Sequence, residues 1–393
     1  MTRSIVRARA GGASRPSPDA LDVPLVAVPR AYLRQVRAWS YRGLCATQRG
    51  PWASIGYGAA GIATALVCGA RRDHRARDLG IAARWLADAA RGSRAVAAFW
   101  TPGFGERRMG ASLYYGPDGV HFVHLLGASR GPRDDGAALT AFLARCRRRR
   151  GGPSELVEGV AGTLTALVLL HRRTGDPRVL RVADELAADL LARADGAAGW
   201  GKDPNLGFAH GRAGTLHALL GWSLAAAREL PAAFGGHLDR LAADAARAGL
   251  TTGGRARDDA EGAALRRSWC NGAAGLVLLW ARAYQHAPEA AYLRRAREAA
   301  RLLETDTAGA PGNLCCGLGG RAYGLLAMER IDPGHGWLAR AQAMGARAVA
   351  AMLDTGNAWP NGLFTGYPGL VCLAHDLAAA PGERLGFPLV EGA

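Results

Sequence analysis

Residues 159–170 read "GVAGTLTALVLL": two glycines spaced by two residues, then an apolar run that carries no charge. An amphipathic surface helix would break such a run with polar residues at a 3.6 period, so this one reads as a helix buried on every side. The phrase returns along the chain. It stands as "GAAGIATALV" (58–67) and "GPDGVHFVHLL" (116–126) on one side. On the other side it is "GRAGTLHALL" (211–220), "GAAGLVLLW" (272–280), "GLGGRAYGLL" (317–326) and "GYPGLVCLAHDL" (366–377). Successive copies begin 43 to 61 residues apart, the length of two helices with their connections. A period of that size is architecture before it is anything else.

The stretches between the copies are helical of a different kind. "DHRARDLGIAARWLADAARG" (73–92) and "DPRVLRVADELAADLLARA" (176–194) place apolar residues three and four apart behind acidic or proline starts. Similar stretches lie near 31–45, 134–148, 238–248, 289–304 and 338–354. Amphipathic helices alternating with all-apolar ones predict two concentric rings, an all-α (α/α) toroid of seven inner and seven outer helices. An open solenoid would need distinct polar end caps, and none is evident. Residues 1–29, rich in Arg, Pro and Gly, read as a flexible arm, and 30–393 as a single toroid domain.

Parallel inner helices would gather all seven glycine motifs at one mouth of the ring. The residues just before each first glycine would then converge: Tyr57, Tyr115, Glu158, His210, Asn271, Cys316 and Thr365, with Cys270 and Cys315 one place further back. A glycine motif taken alone reads as close helix packing. The reactive residue types at this mouth ask for more.

Composition limits what they could do. The 393 residues are 49% hydrophobic and 21% charged, which describes a globular chain with a large core. The net charge of +16 would fit an acidic partner, but Lys202 is the only lysine, and no basic helix interleaved with aromatics marks a nucleic-acid site. No nucleic-acid partner is expected. The seven cysteines are odd in number and unevenly spaced, the usage of a reducing cytosol where cysteines serve as ligands or catalysts. No signal peptide and no transmembrane segment is legible, so a cytoplasmic protein is expected.

Cys270, Cys315 and Cys316 belong to two neighbouring motif starts, so three sulfurs can face one point. Inert buried thiols and a redox pair are the plain alternatives. Three soft thiolates at positively polarised helix starts suit one Zn²⁺ per chain, with a fourth position open as in catalytic sites. Such a centre carries net charge −1, which suits holding and alkylating a thiol better than activating water for hydrolysis. A histidine at the same mouth, His210, titrates in the range needed for acid–base work; the plain reading is a hydrogen-bonded core histidine.

The blocks "SWCNGAAG" (268–275), "NLCCGLGG" (313–320) and "GFAHGRAG" (207–214) resemble the signature blocks of the lanthionine synthetase C-like family, the lanthipeptide cyclases. "GLFTGYPGL" (362–370) and "VEGVAGTLTALVLLHRRTGDP" (157–177) are similar too, and the likeness spans roughly 31–380. The resemblance implies an α/α toroid with one catalytic zinc. It implies an enzyme that adds peptide cysteine thiols to dehydroalanine or dehydrobutyrine and closes thioether rings. Cys270, Cys315 and Cys316 resemble its zinc ligands, in a Cys-Cys-Gly variant of the commoner Cys-His-Gly. His210 resembles its acid–base histidine, Arg266 an arginine near the zinc, and Glu155 an aspartate that would orient His210. The substrate would be a dehydrated precursor peptide, supplied by a separate dehydratase. Two other readings stay open: another zinc-dependent thiol-alkylating enzyme, of glutathione-adduct or prenyl-transfer type, and a non-catalytic zinc scaffold.

The remaining conspicuous residues carry plain expectations. "RCRRRR" (145–150) reads as a solvated helix end or a dock for an acidic leader peptide. His121 and His124 read as core or mouth-lining, Cys68 and Cys372 as core, and Cys45 and Cys146 as at most reactive surface thiols.

Overall fold

The computed structural model describes residues 22–48, 50–73, 76–100, 112–127, 134–196, 199–250, 265–305, 307–354 and 359–392. The first part of the chain forms α1 (Asp22–Ala38), the short α2 (Tyr41–Thr47), α3 (Ala59–Asp73), α4 (Ala76–Arg91), α5 (Asp118–Gly127) and α6 (Asp134–Arg147). Next come α7 (Val160–Thr174), α8 (Pro177–Ala192), α9 (Arg212–Ala226), α10 (Phe234–Arg247) and α11 (Ala273–His286). The chain continues through α12 (Ala290–Leu303), α13 (Leu318–Ile331), α14 (Trp337–Asp354) and α15 (Tyr367–Ala378). Among the described residues there is no β-strand, and no helix is long and apolar enough to cross a membrane.

The glycine-led helices α3, α5, α7, α9, α11, α13 and α15 each contact the next, and α15 contacts α3, so the inner ring closes. Outer helices lie over the seams: α4 over α3 and α5, α8 over α7 and α9, α12 over α11 and α13, α14 over α13 and α15. The two rings differ as their sequences do. Every residue of α7 from Val160 to Leu170 is buried, whereas α8 buries only the stripe Val179, Val182, Ala183, Leu186, Ala187 and Leu190. Asp176 caps α8 through Arg178 N at 2.8 Å, with Pro177 in its first turn.

The glycines serve the loops more than the helix packing expected of them. Each loop curls back over the start of its own inner helix. Val160 N donates to Pro153 O at 2.7 Å, Leu318 N to Pro311 O at 2.8 Å and Tyr367 N to Pro360 O at 2.9 Å, so the loop supplies acceptors that a side-chain cap would otherwise provide. A Cβ added at Gly162 would overlap the carbonyl oxygen of Leu156, and one at Gly214 that of Phe208. The second motif glycine is thus the space through which the loop backbone passes.

Four expectations are corrected. Helix α1 begins at Asp22, inside the stretch expected to be an arm; Leu25, Tyr32, Leu33 and Val36 are buried, and the helix packs on α14 and α15 despite Pro29 within it. The remainder of that arm, residues 1–21, lies outside the described residues. Cys146 is 2% exposed, because Leu139, Phe142, Leu143 and Cys146 form the buried stripe of α6. His121 and His124 are exposed on α5 rather than in the core. The arginine run is in large part structural: Arg145 and Arg149 both bind Asp118 (2.8 and 2.7 Å) and Arg147 binds Glu185.

The C-terminal segment occupies the middle of the ring. Phe387 packs against Trp269 and Tyr323, Tyr114 Oη donates to Leu389 O at 3.0 Å, and Val390 lines a small cavity with Thr165, His217 and Arg282. Contacts with so many repeats at once place this segment on the axis.

Gly162→Ala is expected to cost about 1–3 kcal/mol or more by overpacking. Gly80→Ala, on the exposed side of α4 with no atom near its Cβ position, is expected to gain up to about 1 kcal/mol. Denaturant unfolding of the two variants beside the parent checks both signs.

Candidate metal centre

The loops ahead of the inner helices are joined edge to edge by backbone hydrogen bonds. Gly56 N donates to Tyr114 O (2.8 Å), Val157 N to Ala209 O (3.1 Å) and Ala209 N to Cys270 O (2.8 Å). Cys270 N donates to Cys315 O (3.3 Å), Cys315 N to Phe364 O (2.9 Å) and Leu363 N to Ile55 O (3.1 Å). The remaining junction is made by Ser112 Oγ, which donates to Val157 O at 2.6 Å. The circle is complete, and every link runs from one loop to the next in chain order.

Two successive links carry the cysteines. Cys316 Sγ lies 3.5 Å from Cys315 Sγ and 3.6 Å from Cys270 Sγ, and all three sulfurs lie within 4.8 Å of one another. Two polar neighbours approach Cys270 Sγ: Ser268 Oγ at 3.4 Å and Asn271 Nδ2, which points a donor at it from 3.7 Å. Ser268 is buried and also takes Asn271 N on its Oγ at 3.0 Å, which holds the turn that aims Cys270. Hydrogen bonds from the other two thiols hold Cys270 well below the ordinary thiol range, while the same sharing pushes Cys316 up to about 12 and Cys315 well up. Without a cation, three thiols this close carry charge on one sulfur at a time. The donor set fits zinc: four ligands at about 2.3 Å define a tetrahedron with edges of about 3.8 Å, near the sulfur separations seen here.

His210 stands at the same mouth. Its Nδ1 lies 3.0 Å from Glu155 Oε2, and its side chain is 43% exposed, open to a substrate. Glu155 is fixed in turn by Val157 N (3.0 Å) and Glu158 N. The hydrogen bond to Glu155 raises His210 above the ordinary imidazole value, outweighing burial, and the charges of Glu158 and Cys270 act in the same direction. Of the adjacent arginines, Arg267 is buried and donates from Nε to Thr305 Oγ1 at 2.7 Å, so it is directed to the end of α12. Arg266 is half-buried at the start of the turn that carries Cys270, its carbonyl filling the space where Gly272 lacks a Cβ.

Across the mouth, Tyr57 and Tyr115 stack at 5.3 Å, and Trp359 meets Tyr57 edge-on at 5.4 Å. Burial and the nearby thiols push the Tyr57 hydroxyl up to about 12, and burial, then Tyr57 and the thiols, raise Tyr115. Both tyrosines sit at motif positions expected to converge, but sequence reading gave them no part in the site. Ser268 was missed altogether; a serine four residues before the first motif glycine, Gly272, was its only signal.

A family model of lanthionine synthetase C-like proteins matches residues 53–389. The chain belongs to the lanthionine synthetase C-like family. The solved structure of nisin cyclase aligns with a TM-score of 0.64 over 91% of this chain and 93% of that chain, at 13% identity, a likeness of fold. No curated protein sequence matches. Within the family fold, the cysteine cluster and the Glu155–His210 pair stand on loops linked by the same hydrogen-bonded circle.

In the parent, His210 is expected to titrate above the roughly 6.5 of a free imidazole. Glu155→Gln removes the carboxylate charge and should bring that midpoint down, as followed by NMR of the His210 ring. An unchanged midpoint would uncouple the pair.

Proposed function

We propose that this family member is a zinc-dependent lanthipeptide cyclase. It would join cysteine thiols of a dehydrated precursor peptide to dehydroalanine or dehydrobutyrine, forming lanthionine and methyllanthionine thioethers. The observation that carries this reading is the meeting, at one mouth, of a three-thiol cluster and a carboxylate-oriented histidine. Zinc held by Cys270, Cys315 and Cys316 would supply a soft Lewis acid with one position left for a substrate thiol, favouring alkylation of sulfur over hydrolysis.

The protein's own groups handle the proton. Glu155 Oε2 accepts from His210 Nδ1, which fixes the ring and leaves Nε2 as the exchanging atom. The substrate thiol gives its proton to solvent water, from which His210 is reprotonated after each turnover, the sulfur bonds to Cβ of the dehydro residue, and the electron pair of the double bond moves toward the neighbouring carbonyl. His210 Nε2 then delivers a proton to Cα, so thiol and alkene combine with no net gain or loss of protons. The raised affinity of His210 for its proton suits it to act as that acid near neutral pH. Arg266, four residues before Cys270, is assigned the enolate oxygen. Three sulfur donors rather than four among the described residues support a catalytic rather than a scaffold zinc. A separate dehydratase would supply the dehydro residues, and the reducing cytoplasm would keep the three thiols available.

The chain should bind about one zinc per molecule. Cys270→Ala should lose both the metal and ring closure, whereas His210→Ala should keep the metal and slow cyclisation about 10²–10⁴-fold. Metal analysis and mass spectrometry of a thiol-trapped dehydrated peptide measure the two. Full cyclisation by metal-free Cys270→Ala would refute the mechanism.

A further inference from the structure

We propose that the C-terminal segment Gly386–Gly392 is a positioning element of the metal centre, acting through Phe387 from inside the ring. The inference rests on the zinc reading above and extends it to residues outside every motif. Phe387 is fully buried and stacks on Trp269 with ring centroids 4.5 Å apart and planes 13° apart. Trp269 also stacks on Phe364 at 5.2 Å, and Phe364 faces Phe387 at 6.2 Å. Trp269 belongs to the loop that holds Cys270, and Phe364 to the loop hydrogen-bonded to the one that holds Cys315 and Cys316. Trp269 precedes Cys270, and its N donates to Cys315 O at 3.1 Å; Phe364 O accepts from Cys315 N at 2.9 Å. The third ring, Phe387, comes from a distant part of the chain and closes the cluster from below.

The segment is fastened at several points. Asp376 Oδ1 and Oδ2 accept from Leu385 N (2.9 Å) and Gly386 N (3.0 Å). Glu391 Oε2 accepts from Phe387 N at 3.0 Å, and Glu391 Oε1 pairs with Arg330 and lies 3.8 Å from Arg282. Leu389 adopts a left-handed backbone with φ of 59°, a conformation a branched residue holds only when its surroundings impose it. Tyr114, whose Oη donates to Leu389 O, stands in the loop before α5, so the segment is gripped from across the lumen as well. A buried ring anchored this firmly limits how far Trp269 and Phe364 can shift, and through them the spacing of Cys270 and Cys315. Residues behind metal ligands act in this way, by fixing ligand orientation rather than by touching the metal.

Phe387→Ala is expected to weaken zinc binding about 10–100-fold, the usual effect of losing a supporting residue, in competition with a chromophoric chelator. Phe142→Ala is the control: that ring is also fully buried, against Phe122 in α5, and its loss lowers the unfolding temperature without touching the sulfur-bearing loops. It should keep the parent's zinc affinity. Phe387→Leu preserves apolar bulk without a ring to stack and should also bind zinc more weakly, with altered thiolate-to-metal absorption in the cobalt-loaded protein. Parent-like affinity in a folded Phe387→Ala or Phe387→Leu protein overturns the proposal, as does an equal loss in Phe142→Ala. A parent chain that binds no zinc would instead strike the metal reading on which this one stands.

Discussion

The hydrogen-bonded circle of loops is the constraint on which the rest depends. A buried backbone N–H must find an acceptor, and six of the seven junctions at the mouth of the toroid are made by an N–H that finds it on a neighbouring loop, the seventh by the Ser112 hydroxyl. One such bond contributes only about 1 kcal/mol net. Its value here lies in closure. Because Leu363 N reaches back to Ile55 O, no loop can shift without straining its neighbours, and the Cys270 and Cys315–Cys316 loops keep their register. The glycines follow from this demand, since a loop that presents one edge to each neighbour must lie flat on its own helix start. A side chain at the second motif glycine would lift it off.

With the backbone repeated seven times, chemistry is left to the side chains. The residue ahead of each first glycine is, in order round the ring, Tyr57, Tyr115, Glu158, His210, Asn271, Cys316 and Thr365. Cys316 therefore stands next to Asn271, which points its amide at Cys270 Sγ, and one place further along stands His210. In ring order the stacked pair Tyr57 and Tyr115 lies on the other side of the sulfurs. The arrangement places an ionisable, carboxylate-backed group on one side of the sulfurs and an uncharged aromatic wall on the other. The mouth therefore presents two unlike faces.

How much of this was legible depended on whether the signal was local. The two kinds of helix follow from patterns within ten or twenty residues, and the repeat of those patterns along the chain is what brings Cys270 beside Cys315 and Cys316. The buried stripe Leu139, Phe142, Leu143 and Cys146 was as plain, but the neighbouring arginines drew attention to the surface. Pro29 concealed α1, because proline signals a helix break while long-range packing of Leu25, Tyr32 and Val36 decides otherwise. The segment "RLGFPLVEG" (384–392) has no period at all, and its partners Trp269, Tyr114 and Arg330 are scattered over the chain. Contacts of that kind exist only after the ring has closed, so no reading of adjacent residues could supply them.

The arginine excess finds its explanation in the same closure. Lys202 is the only lysine, and the fold uses the planar fork of arginine where a point charge would not serve. Arg37 donates from Nε and Nη2 to both oxygens of Asp78, at 2.8 and 2.6 Å, with the carboxylate buried, and so links α1 to α4 across the ends of the ring. Arg297 grips Asp332 in the same two-handed way between α12 and the end of α13, and Arg145 with Arg149 share Asp118 at the start of α5. Exposed pairs such as Arg178 with Asp176 add little, because water screens them. The half-buried ones matter through geometry: each locks an outer element to a fixed point, and breaking one would strand a carboxylate away from water. A positive chain of this composition need not be built for an acidic partner. Much of its charge is spent holding two rings of helices in register, and that register sets where three sulfurs meet.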